Sequence, residues 1–286
     1  MNFIKIFWLI SFVLPPYIYA SEASSWRTPE LDNQVYLHTN DAIVIIELAP
    51  FMAPKHVERF KILVAEGFYN GLDFYRVIDG FVAQGGDITG EKKTEHKQTL
   101  TAEFSRPITD KSQFQLEQDN EFMAPQTGYL HGFSAGRDID VGHEWLLHCP
   151  GTLAMARGNE KNSASTEFYI VIGQATRHLD RNMSSFGRVI YGMSTIQALQ
   201  RADMNSASGV IEDHDKRSKI AWLKMAKDVP EEQRIHVQVQ EQTSDTAKQR
   251  LANARTRDNP FFHFKGNGNL DMCYYQLKTR VVGPAK

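Results

Sequence analysis

Long apolar runs are almost missing from this 286-residue chain. The one exception lies at the N-terminus, Ile6 to Leu14, and is broken at once by Pro15 and Pro16. It is shorter than the roughly 20 residues that cross a bilayer, and the prolines stop a helix from extending it. A surplus of positive charge is also missing. The 32 Lys and Arg residues stand against 34 Asp and Glu, a net of −2, so the basic footprint of a nucleic-acid binder is absent. Neither an internal repeat nor a low-complexity tract is present. What remains is ordinary for a folded globular protein, with 42% hydrophobic and 23% charged residues. The length suits one large domain or two small ones.

What is present begins with an export pattern. Lys5 precedes the apolar run, and Tyr17-Ile18-Tyr19-Ala20 follows it. A basic start, a short apolar stretch and small residues at a cut point form a secretory signal. A cleaved signal over residues 1–20, cut near Ala20 or Ala23, is therefore expected, which would place the protein in a periplasm or outside the cell. Cysteine is scarce, with two residues, Cys149 and Cys273. In an exported chain an even count suggests a disulfide; two buried thiols are the alternative.

The patterning predicts many short strands. Residues 21–40 read as a polar lead-in and 41–48 as a β-branched strand stopped by Ala49-Pro50. Pro54 can open a helix whose Val57, Phe60, Leu63 and Val64 share a face, with Gly67 as its stop. Strands at 72–78 and 81–84 flank the turn pair Asp79-Gly80. Residues 91–150 read as a long insertion, with a possible strand at 100–104 and a turn-rich stretch at 129–142. Further strands are expected at 151–156, 167–172, 220–225 and 235–240, and helices at 193–201 and 243–257. A hairpin is expected at 261–277, around Lys265-Gly266-Asn267-Gly268. The sum is a mainly antiparallel β fold. His143 and His148 are five residues apart rather than the four of a two-histidine zinc helix, so they read as packing or surface residues and no metal or cofactor is expected.

Two segments are more specific. The first runs Phe74-Tyr75-Arg76-Val77-Ile78-Asp79-Gly80-Phe81-Val82-Ala83-Gln84-Gly85-Gly86-Asp87. The second is Gly151-Thr152-Leu153-Ala154-Met155-Ala156-Arg157, continued by Ser165 to Ile170, Leu179 to Asn182 and Phe186-Gly187-Arg188-Val189. In content and order both resemble the cyclophilins, over about Ala42 to Arg201. The resemblance implies an eight-stranded antiparallel β-barrel capped by helices. It frames a cyclophilin-like domain at 41–226, interrupted by the 91–150 insertion and followed by a C-terminal extension at 227–286. It also implies peptidyl-prolyl cis/trans isomerase activity, with proline-containing polypeptides as partners.

That chemistry makes and breaks no bond. The amide resists rotation by ~18–20 kcal/mol, and a catalyst must bind the twisted amide better than either planar form. Twisting frees the lone pair on the prolyl nitrogen, which can then accept a hydrogen bond. Arg76 matches the arginine that cyclophilins use, and Gln84 the glutamine that orients it. Phe81, Val82, Tyr169 and Leu179 match the proline pocket, and Ala156 and Arg157 the segment whose backbone pairs with substrate.

The departures matter as well. Glu167 stands where glutamine is usual, Tyr169 for phenylalanine, Val82 for methionine, His178 for tryptophan, Met183 for histidine and Arg157 for asparagine. Glu167 is expected beside Arg76, where an ionised carboxylate would compete for the guanidinium. The rival to an isomerase is a module that kept the peptide groove without turnover, acting as a chaperone of the cell envelope. An envelope partner binding through the insertion is a remoter possibility.

Overall fold

The computed structural model describes residues 25–174 and 176–283; the expected signal segment lies outside them. Eight strands close into an antiparallel barrel: β1 (Gln34–Thr39), β2 (Ala42–Leu48), β3 (Asp73–Val77), β4 (Val82–Gly86), β5 (Thr152–Met155), β6 (Phe168–Val171), β7 (Ser185–Tyr191) and β8 (Ser218–Met225). Around the barrel the order is β5-β6-β4-β3-β8-β1-β2-β7, returning to β5. The continuous apolar run in β2 has a physical reason. Val44, Ile46 and Leu48 face the barrel interior, while Ile45 faces a second core outside it. A strand buried on both faces has no need of polar alternation.

Helix α1 (Pro54–Ala65) lays Val57, Phe60, Leu63 and Val64 onto the barrel core, with Pro54 in its first turn. The Phe60 ring sits 5.3, 5.6 and 5.2 Å from Tyr69, Phe168 and Phe186, the spacing of favourable aromatic pairs. Helix α2 (Met193–Gln197) buries Ile196 and ends sooner than the sequence suggests. Helix α3 (Asp245–Thr256) is capped by the Ser244 hydroxyl, which accepts from the Ala247 amide.

Several expectations are corrected. Of the expected lead-in at 21–40, the described residues 25–40 are not loose, because β1 is a full barrel strand. The two-residue turn Asn40-Asp41, with φ of +47° and +54°, joins β1 to β2 in the primed geometry that tight hairpins need. Trp26–Arg27 adds an edge to a small sheet with Val237–Gln240 and Thr279–Val281. The insertion holds a five-stranded sheet of Arg106–Pro107, Phe114–Asp119, Gln126–Leu130, Phe133–Asp138 and His143–Leu146. Its turn-rich stretch is thus largely hairpin, whereas 100–104 supplies only the bridge from Leu100 to Ala164. No strand forms at 261–277. That stretch runs as turns and leaves Phe261 and Phe264 exposed, without a neighbouring strand to cover them.

The insertion and the extension share one core with the outside of the barrel. Trp145 and Cys149 from the insertion pack with Val239, Leu251, Met272 and Cys273 from the extension, over Tyr36 and Ile45 of β1 and β2. Cys149 and Cys273 are joined by a disulfide, with 4.8 Å between their Cα atoms. Glu47 in β2 is buried and held by Arg188 and Arg27 at 2.9 and 2.5 Å. Among the described residues no helix is long and apolar enough to cross a membrane.

Candidate active site

Strand pairing puts the candidate residues on the barrel's outer surface. Successive side chains of a strand alternate between faces, and Leu153, Met155, Phe168, Ile170 and Ala83 take the inner one. Ala154, Tyr169, Val171 and Val82 are left to form an outer apolar patch with Phe81, Ala156, Leu179 and Met183 around it. Register completes the arrangement, with Ala154 opposite Tyr169, Tyr169 opposite Gln84 and Gln84 opposite Arg76. The ladder slips between Asp73 and Arg76, and this irregularity lets both Tyr75 and Arg76 reach Gln84.

The result is a cleft of about 280 Å³ lined by Arg76, Phe81, Val82, Gln84, Ala156, Arg157, Tyr169, Leu179 and Met183. Arg76 donates from Nε to the Ser208 carbonyl at 2.8 Å and from Nη1 to Gln84 Oε1 at 3.4 Å. Gln84 Nε2 in turn donates to the Tyr75 hydroxyl. The guanidinium carbon lies 5.9 Å from the centre of the Phe81 ring. Phe81 follows the Asp79-Gly80 turn, whose backbone meets residues 172–173 closely, since a Cβ on Gly173 would come within 1.5 Å of the Gly80 carbonyl oxygen. Glycine at 173 is therefore required to bring the Phe81 loop down onto β6.

Beneath the cleft a buried polar chain begins at Tyr169. Its hydroxyl lies 3.0 Å from Nε2 of the fully buried His148, whose Nδ1 is 3.2 Å from Asp180 Oδ1. The His148 backbone amide also donates to Asp180, at 2.8 Å. Asp180 Oδ2 accepts from Arg177 Nε, and Arg177 makes a two-point contact with Glu121 at 2.9 and 3.1 Å. Burial pushes the Tyr169 phenol well above its ordinary value, so it stays neutral and can donate to His148. Sequence reading takes His148 for a packing or surface residue and overlooks this chain. The available signal was Tyr169 itself, because a phenol in an apolar pocket needs a buried partner. Met183, flagged only as a departure, also lines the cleft, and the Ser208 carbonyl comes from a loop that carries no motif.

Two residues expected to bind substrate are not among those that line the cleft. Glu167 is not paired with Arg76; its carboxylate is packed against Gly86, where an added Cβ would fall 2.4 Å from Oε1. Both carboxylate oxygens are shielded from solvent; burial pushes the group up to about 7, and the adjoining Tyr75 hydroxyl and Asp87 backbone amide offset only part of that rise. The even spacing of Glu167 and Tyr169 suggests a shared face, but Glu167 precedes β6 and turns beneath Tyr75 and Asp87 rather than into the cleft. His178 is not in the lining either. It lies exposed at the rim, stacked on Phe81 with ring centres 5.9 Å apart and planes 10° from parallel.

A closed antiparallel barrel with a fixed guanidinium beside a small apolar cleft on its outer wall is the architecture of the cyclophilins. The chain belongs to the family of cyclophilin type peptidyl-prolyl cis-trans isomerases, whose model matches residues 34–221. A probable peptidyl-prolyl cis-trans isomerase of Brucella suis biovar 1 (strain 1330) is 31% identical over 197 residues, 69% of this chain and 85% of the relative. Human peptidyl-prolyl cis-trans isomerase-like 1 is 29% identical over 189 residues, 66% of this chain and 90% of the relative. The crystal structure of cyclophilin AquaCyp293 from Hirschia baltica is similar with a TM-score of 0.71 at 27% identity, covering 91% of this chain and 94% of that one. Such coverage reaches beyond residues 34–221, so much of the extension has a counterpart there.

Proposed function

We propose that this protein accelerates cis/trans rotation of X–Pro bonds in exported polypeptides, with Arg76 as the donor to the prolyl nitrogen. The observation that carries the reading is the fixed Arg76 guanidinium at the lip of an apolar cleft. The pyrrolidine ring would sit on Phe81, Val82, Tyr169 and Leu179, leaving water and burying apolar surface. Arg76 has N–H groups left over after its bonds to Ser208 and Gln84. They meet a lone pair that exists only when the amide twists, so the interaction favours the transition state over both ground states. Because Gln84 and Ser208 hold the guanidinium in advance, little reorganisation is needed during rotation.

Export is supported by the apolar run behind Lys5 and by the Cys149–Cys273 disulfide, which suits an oxidising compartment. The test is magnetisation-exchange NMR on a short X–Pro peptide, with the disulfide-intact protein at catalytic concentration. Faster exchange between cis and trans signals is expected. Peptide binding without faster exchange would instead favour a chaperone-like module that has lost turnover. Fractionation of the native host should find the mature chain outside the cytoplasm, and a cytoplasmic, unprocessed chain would contradict export.

A further inference from the structure

The cleft lining contains two guanidinium groups, Arg76 and Arg157, and no carboxylate. Glu167, two residues before Tyr169, is turned under Gly86. Asp180, below Tyr169, is already engaged by Arg177 and His148. Arg157 is not a loose surface cation. Its Nε and Nη2 donate to the Asn182 carbonyl at 3.0 and 2.9 Å, and its Nη1 to the carbonyls of Gly158 and Asn159 at 2.8 and 3.3 Å. The guanidinium carbon also lies 5.3 Å from the centre of the Phe104 ring. All these partners are neutral, so the charge is held in place without being cancelled. On the same loop Glu160 and Lys161 are both exposed and offset one another. The whole chain has a formal net charge of −2, so the positive field belongs to the cleft and not to the molecule at large.

We propose that this cleft selects X–Pro segments carrying a carboxylate side chain within two residues of the proline, with Arg157 as the group that recognises it. The proposal rests on the isomerase reading and adds the substrate class. A fixed, half-buried cation attracts an anion more strongly than a mobile exposed one, because the surrounding dielectric is lower and no side-chain freedom remains to be lost. The attraction is short-ranged and screened by salt. Arg76 reinforces it from the opposite wall, although its own donors are directed at the prolyl nitrogen.

The experiment compares isosequential peptides with Glu, Gln or Lys immediately before the proline, and a second set with the same residues one position earlier, by exchange NMR. In at least one set, at low ionic strength, kcat/KM should be about fivefold higher for Glu than for Gln, and lower still for Lys. The Glu-to-Gln ratio should fall toward one in roughly 0.5 M salt. Arg157→Gln should abolish the ratio and Arg157→Lys should restore part of it. The ratio is the readout because loosening the 157–163 loop would slow all peptides alike. A wild-type ratio near one in both sets, or a ratio unchanged in Arg157→Gln, would overturn the proposal. If no peptide is turned over, the isomerase reading fails, and the Kd ratio from shift titration decides the acid preference on its own.

Discussion

At the scale of single residues, Glu167 makes stability depend on pH. In the unfolded chain its carboxyl ionises near the ordinary value of about 4.3, but in the fold burial raises this to about 7. Below pH 4 both states are protonated and the group contributes no difference. As pH rises from about 4.5 to 7, the unfolded state loses its proton while the folded state still holds it, so stability falls. Above pH 7 the penalty is constant, at roughly 3.5 kcal/mol. Glu167→Gln removes this titration, so the variant should gain thermal stability relative to wild type between pH 5 and pH 8. Melting temperatures that keep the same separation between the two proteins from pH 4 to pH 8 would contradict the raised ionisation of this carboxyl. Since Glu167 does not touch Arg76, the substitution should leave kcat/KM within about twofold, contrary to the competition the sequence suggests. Tyr169→Phe should lower stability by about 1 kcal/mol, read by denaturant titration, because His148 Nε2 loses its 3.0 Å partner and keeps only the Ser185 hydroxyl at 3.4 Å.

At the scale of elements, the insertion is anchored where it meets the rim of the cleft. Arg177 stands between Glu121 and Asp180, and all three side chains are nearly fully buried. Glu121→Ala would leave the guanidinium with one carboxylate in place of two, and a loss of about 2 to 3 kcal/mol in chemical denaturation is expected. A change below 0.5 kcal/mol would mean that the 120–125 turn is not held by this pair. The sequence makes the local parts legible where one signal is strong. The β-branched run of β2, the Pro54 start of α1 and the Asp79-Gly80 turn all announce themselves. The string from Phe74 to Asp87 shows Arg76 and Gln84 together because they face one another across a single tight hairpin. β1 is obscure because its apolar residues, Val35, Tyr36 and Leu37, form only a three-residue run between Gln34 and His38-Thr39, although two consecutive turn formers at Asn40-Asp41 point to a hairpin. The His148–Asp180 link is illegible because the two residues are far apart in sequence and only the closed barrel brings them together.

At the scale of the whole molecule, the disulfide closes a span of 124 residues and ties the extension to the barrel at the end of the insertion. In the chain-entropy picture a loop of that size is worth up to about 5 kcal/mol. Cys273→Ser, or a thiol reductant, should therefore lower the melting temperature by several degrees and loosen the extension first. Hydrogen exchange would show this as faster labelling of Val237–Gln240 and Asp245–Thr256 than of the barrel strands. Uniform loosening would mean instead that the extension and barrel unfold as one unit.

Arg76 as the catalytic donor is tested most directly by measuring kcat/KM and peptide Kd together in Arg76→Ala. A charge-assisted hydrogen bond made only in the transition state is worth about 1.5–3 kcal/mol, so kcat/KM should fall roughly 10- to 150-fold. Kd for the planar peptide should change by less than about threefold, because the apolar cleft that binds the proline is intact. A correctly folded Arg76→Ala protein that keeps kcat/KM within twofold of wild type would contradict the assignment.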